Sequence, residues 1–218
     1  MRVIVVASAK GGAGKTTLAC GLGVAAASQG KIALIDLDPI QAMTRWWELR
    51  GGAAGPRLVT GLDDLGEAIT LLAADDWDLL IVDTPPAPLS VAFDAVALAD
   101  IVLVPCRASP LDVEVVALTR EMAQRHAKPY AFVVSQADAG SLTDETRAFL
   151  KTENGRVLRA GTSLSSDYPR AMIAGRMPEE MATSTVASEM RTVLNEALAP
   201  ICAGAATPQS ARTKAKRG

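Results

Sequence analysis

The stretch VASAKGGAGKTT, residues 6–17, decides how the rest of this chain is read. Its second half, Gly14-Lys15-Thr16, is the end of a phosphate-binding loop. The usual pattern G-x-x-x-x-G-K-[ST] places a glycine five residues before Gly14, and this chain has Ala9 there. A second lysine, Lys10, comes next. The question is why a phosphate cradle would give up its first glycine and carry two lysines.

The loop follows an apolar run, RVIVVA (2–7), and opens an Ala- and Leu-rich stretch, 15–28. Strand, glycine loop, then helix is the context in which such a match carries weight. Gly11, Gly12 and Gly14, with the small Ala13 between them, let backbone N–H groups turn onto phosphate oxygens. The helix beginning near Lys15 adds the positive end of its dipole. In this arrangement Lys15 reaches the β- and γ-phosphates, Thr16 offers its hydroxyl to Mg²⁺, and Thr17 bonds the α-phosphate.

Outward from the loop, short apolar runs alternate with longer helical ones. KIALID (31–36), LLIVD (79–83), IVLVP (101–105) and YAFVVS (130–135) read as further strands, with RLVT (57–60) and GRVLRA (155–160) as weaker candidates. These runs are nearly all apolar, which suits strands covered on both faces. Helical stretches fall at 15–28, 62–74, 89–98, 111–125, 143–151 and 186–198. Their alternation predicts an α/β fold with a doubly wound, mostly parallel sheet in a single domain over residues 1–203. Residues 204–218 are small, polar and basic, and are expected to form a disordered tail.

Composition narrows the chemistry. The 218 residues include 49% apolar ones, enough for a sizeable core, and the formal net charge is −2. Bulk charge therefore does not attract polyanions, and any nucleic-acid contact rests on a local basic patch. Cys20, Cys106 and Cys202 are widely spaced, which argues against a disulfide framework or a zinc site and suits a reducing cytosol. The one histidine, His126, excludes chemistry needing two. No apolar run reaches the roughly 18 residues of a transmembrane helix, and no signal peptide is expected before the loop.

KGGAGKTT resembles the deviant Walker A motif of the ParA/MinD family of dimeric P-loop ATPases. LIDLDP (34–39) resembles that family's next motif, and LLIVDTPP (79–86) its Walker B strand and following switch. RASPLDVEVV (107–116) and SDYPRAMIAGRMPEE (166–180) are similar to segments of small ParF-like plasmid-partition proteins, as is the absence of an N-terminal DNA-binding extension. Together these cover most of residues 1–198.

The resemblance implies roles. Lys10 would cross a dimer interface to the phosphates held by the partner subunit, so that the site is complete only in the dimer. Asp38 would orient the attacking water, while Asp36 and Asp83 support Mg²⁺ through its water shell. With Lys10 and Lys15, Asp38 forms the expected catalytic set. The implied activity is partner-stimulated hydrolysis of ATP to ADP and phosphate. The implied setting is cytoplasmic and nucleoid-associated: a homodimer formed on ATP, non-specific DNA binding, a centromere-binding ParB-like adaptor, and plasmid or chromosome DNA as cargo. A protein cluster or microcompartment is the alternative cargo, and a metabolic P-loop enzyme a more distant one.

From the residues themselves, Asp36 and Asp38 sit two apart at a strand end and are expected to leave on the same face. Strand-end aspartates also cap following helices. Trp46 and Trp47 are adjacent on an expected helix, about 100° apart around its axis, which puts one in the core and the other at the surface. The tail SARTKAKRG lacks the large apolar residues of a MinD-like membrane helix. Tyr130 and Tyr168 form no terminal tyrosine cluster of the kind found in related kinases. Arg212, Lys214, Lys216 and Arg217, with Arg170 and Arg176, are the candidate DNA contacts. Two positions depart from the small-ParA pattern: Ser165 stands where an arginine is frequent, and VVSQAD leaves Ser135 and Gln136 as candidates near the adenine.

Overall fold

A computed structural model describes residues 1–61, 64–86, 90–153 and 155–204. The side chains of residues 110, 111, 113–115 and 200–204 lie outside that description, as does residue 205 onward, which includes the basic tail. The side chain of Cys202 is therefore not described, and the switch after the Walker B-like strand is described only to Pro86.

Among the described residues, seven strands form one sheet in the order β3-β2-β4-β1-β5-β6-β7. They are β1 (Arg2–Val6), β2 (Ile32–Asp36), β3 (Arg57–Leu58), β4 (Leu79–Asp83), β5 (Ile101–Arg107), β6 (Tyr130–Ser135) and β7 (Arg156–Val157). Every pairing is parallel. The doubly wound expectation is met. The two weak strands are present but short, and they occupy the two edges, where only one neighbour rewards extension.

Among the described residues, eight helices connect and cover the strands: α1 (Lys15–Ala26), α2 (Ala42–Leu49), α3 (Leu65–Ala74), α4 (Ser90–Leu98), α5 (Pro110–Arg125), α6 (Ser141–Thr152), α7 (Asp167–Ile173) and α8 (Glu189–Gly204). Alternation along β1 explains the layering. Ile4 and Val6 face α1 and α8, in a core with Leu18, Leu22, Met190 and Leu194. Val3 and Val5 face the other way, into a core with Ala95, Val96 and Val116. Both faces are covered, so each strand reads as continuously apolar.

Local signals set several boundaries. α3 starts at Leu65 rather than 62 because Asp64 is its cap: its carboxylate accepts from the Glu67 N–H at 2.7 Å. Such a cap contributes about 1 kcal/mol. α8 begins at Glu189, three residues after the expected start, and continues to Gly204. Trp46 is buried and Trp47 half-buried, as their spacing implies. Cys20 and Cys106 are free and buried. Among the described residues, no helix is long and apolar enough to cross a membrane.

Candidate functional site

The carboxyl ends of β1, β2 and β4 meet at the loop after β1, the position where parallel sheets of this kind bind ligands. Gly14 is the N-cap of α1 in the left-handed region, at φ 92°. A Cβ there would meet nothing nearer than the Ser135 Cβ at 3.7 Å, so the glycine answers to backbone conformation rather than to space. Any other residue would cost about 1–2 kcal/mol at that φ. No side chain caps α1, and its first turn carries no acid. Its leading N–H groups are thus left for an anion, in contrast to the carboxylate-capped α3.

Ala9 explains the missing glycine. It has no positive φ. Its N–H donates to Thr119 Oγ1 of α5 at 3.0 Å, so this residue is tied to the scaffold instead of facing a phosphate. A Cβ is tolerated where the loop's first turn is anchored sideways.

Lys15 is 6% exposed and turns into the loop, its ammonium donating to the Lys10 carbonyl at 3.1 Å. Burial lowers its pKa, opposed by the nearby charges of Asp83 and Asp38. Thr16 Oγ1 donates to Asp83 Oδ2 at 2.6 Å. Asp83 is fully buried and its other oxygen, Oδ1, has no partner. Burial pushes its carboxyl up to about 7, with the Thr16 hydroxyl and Lys15 opposing and Asp36 and Asp38 reinforcing.

The two aspartates of LIDLDP separate. Asp36 ends β2, level with Asp83 on the adjacent strand. Its Oδ1 accepts from the Asp38 N–H at 3.1 Å, and its Oδ2 from the N–H and hydroxyl of Thr44 at 2.9 and 3.0 Å. Asp36 thus holds the first turn of α2, the capping alternative that strand-end aspartates raise. Asp38 lies beyond the strand end, in a turn where its Oδ1 accepts from the Ile40 N–H at 2.9 Å. Strict strand alternation therefore does not govern where the Asp38 side chain goes. It is 9% exposed and close enough to Lys15 to act on its charge.

A cavity of about 340 Å³ adjoins the loop, lined by Gly14, Thr17, Ser135, Gln136, Tyr168 and Met172 among others. Ser135 Oγ donates to the Ala13 carbonyl at 2.7 Å, and Gln136 Nε2 to the Gly12 carbonyl at 3.3 Å. Thr17 Oγ1 has only a thioether partner, Met172 Sδ at 3.3 Å, a weak acceptor that a phosphate oxygen would readily replace. Tyr168 donates to Glu189 Oε2 at 2.7 Å, which fixes the wall of the cavity. Sequence reasoning had no signal for Met172 or Glu189, because their proximity comes from α7 and α8 folding back onto α1. Arg170 and Arg176 are exposed.

Among the described residues, no group of three or more His, Cys, Asp or Glu side chains could cage a metal ion. Mg²⁺ needs no such cage, since it retains several waters and takes few protein ligands. The partnerless Oδ1 of Asp83, beside the Thr16 hydroxyl, fits that donor set.

Residues 4–193 match the family model described as the CobQ/CobB/MinD/ParA nucleotide binding domain. A carboxysome distribution protein A from Gloeobacter kilaueensis is 39% identical over 124 residues, 52% of this chain and 53% of that relative; the chain thus spans about half of its length. The corresponding protein of Halothiobacillus neapolitanus is 25% identical over 89% of this chain and 95% of its own length. A ParA protein of Rhizobium radiobacter is 35% identical over 51% of each chain. Among solved structures, MinD of Aquifex aeolicus superposes with TM-score 0.77 at 16% identity, covering 96% of this chain and 100% of its own. An ATP complex of a Cyanothece McdA gives 0.74 at 21%, covering 91% and 96%. With this loop at the head of this sheet and the match running through all seven strands, the chain belongs to the CobQ/CobB/MinD/ParA family of nucleotide-binding domains.

Proposed function

We propose that the chain is a ParA-type ATPase that dimerises on ATP, binds DNA non-specifically as a dimer and positions a cargo. The observation that carries this reading is the division of labour between two lysines on one loop. Lys15 is buried and turned inward, whereas Lys10 keeps 30% of its side chain exposed at the loop's outer edge. In this reading one lysine serves its own nucleotide, and the partly exposed one serves a second after leaving its own chain.

In this reading the uncapped start of α1, with Gly11, Gly12, Ala13 and Gly14, cradles the phosphates, and Thr17 bonds the α-phosphate. Thr16 and Asp83 hold Mg²⁺, directly or through its waters, and Asp36 adds its charge from the adjoining strand. When bound there, Mg²⁺ would supply positive charge to the phosphate oxygens. Asp38 orients the attacking water, and Lys15 with a partner subunit's Lys10 stabilises charge on the transferred phosphoryl group. Lys10 then acts as an arginine finger does when supplied in trans.

Plasmid or chromosome DNA, joined through a centromere-binding ParB-like adaptor, is the favoured cargo, in keeping with the ParA relative. A protein cluster is the second reading. It is favoured by carboxysome distribution relatives, one of them matched over 95% of its length. Both readings place the dimer on the nucleoid.

ATP turnover measured with and without duplex DNA, and with and without Ser210–Gly218, tests the proposal. The expected result is slow turnover alone, stimulation by DNA, and a shallower salt dependence of DNA binding when Arg212, Lys214, Lys216 and Arg217 are removed. Absence of any Mg²⁺-dependent turnover would overturn it.

A further inference from the structure

Lys10 is held within its own chain. Its Nζ lies 3.2 Å from Oδ1 of Asp112, a carboxylate that is 1% exposed near the start of α5. Asp112 is shared. Arg107, the last residue of β5, donates from Nε to Oδ2 at 2.6 Å and from Nη2 to Oδ1 at 3.3 Å. One buried carboxylate therefore receives two cations, one in a rigid two-point fork and one on a flexible stem. α5 grips the same loop a second time, where Thr119 accepts the Ala9 N–H.

A lysine that reaches another subunit has to leave this carboxylate first. Departure of the sole partner of a buried charge is strongly unfavourable. Here Arg107 stays behind with both of its hydrogen bonds, so Asp112 remains paired. Burial alone would push the Asp112 carboxyl up, but hydrogen bonds from Arg107 and Lys10 outweigh it and hold it below the usual carboxylate range. The cost of release is then that of one partly solvated ion pair.

We propose that Asp112 is a latch that keeps Lys10 on its own subunit until a second nucleotide-loaded subunit offers phosphate in exchange, with Arg107 setting how firmly the latch holds. The proposal rests on the trans-lysine reading above. Asp112 and Arg107 are positioning residues, acting through Lys10. A partly exposed ion pair shifts an equilibrium by about threefold. A dimer opens two latches, so releasing both tightens association by roughly tenfold.

Two measurements on the full chain test this. The first is the rate at which formaldehyde and borohydride methylate the Lys10 amine in the nucleotide-free protein, followed by peptide mass spectrometry. The second is the dimer dissociation constant by sedimentation, with Mg²⁺ and a non-hydrolysable ATP analogue. Asp112→Asn, which keeps the side chain's size, speeds methylation several-fold and tightens the dimer about tenfold. Arg107→Gln leaves Asp112 to Lys10 alone, so methylation slows and the dimer weakens; Arg107→Lys restores part of both. In a Lys10→Ala background, Asp112→Asn no longer tightens association. A merely structural role would lower the melting temperature of both variants without moving each readout one way in Asp112→Asn and the other way in Arg107→Gln. Equal methylation rates in wild type and Asp112→Asn, or a dimer weakened by Asp112→Asn, overturn the latch. A wild type that stays monomeric while the methylation pattern holds supports Asp112's grip on Lys10 and overturns the trans-lysine reading instead.

Discussion

The ammonium of Lys15 donates to the backbone carbonyl of Lys10 at 3.1 Å, so the two lysines of the loop are coupled through the main chain. A phosphate that draws Lys15 away from this carbonyl also frees the backbone at Lys10. On the trans-lysine proposal, filling of a subunit's own site would thereby bear on the residue that serves the neighbouring one.

Lys15→Ala is expected to abolish Mg²⁺-ATP binding. It removes a buried cation turned into the loop and leaves the backbone N–H donors without it to face a triphosphate. Calorimetric titration checks this, with loss of at least a hundredfold in affinity expected, on the order of 3 kcal/mol for a buried charge pair. Wild-type affinity would remove the phosphate-binding reading of the loop.

Asp38→Ala is expected to bind ATP but hydrolyse it at least a hundredfold more slowly, the usual scale for losing a positioned general base or water-orienting group. Asp38 hydrogen-bonds only its own turn in the single chain, through the Ile40 N–H, so the fold tolerates its removal. Single-turnover kinetics and sedimentation together check this, since dimers should accumulate on ATP. Unchanged turnover would shift the catalytic role to another carboxylate.

Lys10→Ala is expected to leave nucleotide binding by the monomer intact, because Lys15, Thr16 and the uncapped helix start remain. ATP-dependent dimerisation should fail, with hydrolysis and DNA binding falling alongside it. Light scattering with ATP and with ADP distinguishes the cases. A mutant that dimerises and turns over normally would make Lys10 an ordinary surface lysine.

Acid should loosen the connection between α2 and the segment after α7. Arg50 Nη1 and Nη2 donate to Glu180 Oε2 and Oε1 at 2.9 and 2.8 Å, and the guanidinium stacks over Trp46, 5.0 Å from the ring centre. Burial works to raise the Glu180 carboxyl, but the Arg50 hydrogen bonds and the Met177 N–H prevail and lower its pKa. A lowered folded-state pKa adds stability above the ordinary carboxylate value, and that stability is lost as pH falls through the folded value. Glu180→Gln should therefore cost about 2–3 kcal/mol at pH 7 and flatten the decline below pH 4. Thermal melts of both proteins from pH 3 to 7 check it; parallel curves would show that Glu180 does not drive the acid sensitivity.

The alternation of apolar runs with helical stretches by itself determined the sheet class, because strands covered on both faces have to be apolar throughout and parallel strands require helical crossovers. Gly14, Lys15 and Thr16 were legible for a related reason: a backbone cradle before a helix start is a local arrangement, built from consecutive residues. Only the tertiary structure decided what lies across from each of them. Asp83 is 67 residues from Thr16 in sequence, and nothing in the spacing states that its Oδ1 is buried without a partner. Asp36 and Asp38 looked alike in the sequence but part in the structure, because the chain leaves the strand after Asp36 and turns that carboxylate to the start of α2. Ala9 read as a defect until Thr119, 110 residues away, took its N–H. Lys10 read as a lysine bound for a partner subunit, and nothing in the sequence pointed to Asp112, 102 residues away, which lies against it at 3.2 Å. A sequence pattern carries the geometry of neighbours along the chain; the partners of this loop are set by how β5 and α5 pack beside β1, which no local pattern encodes.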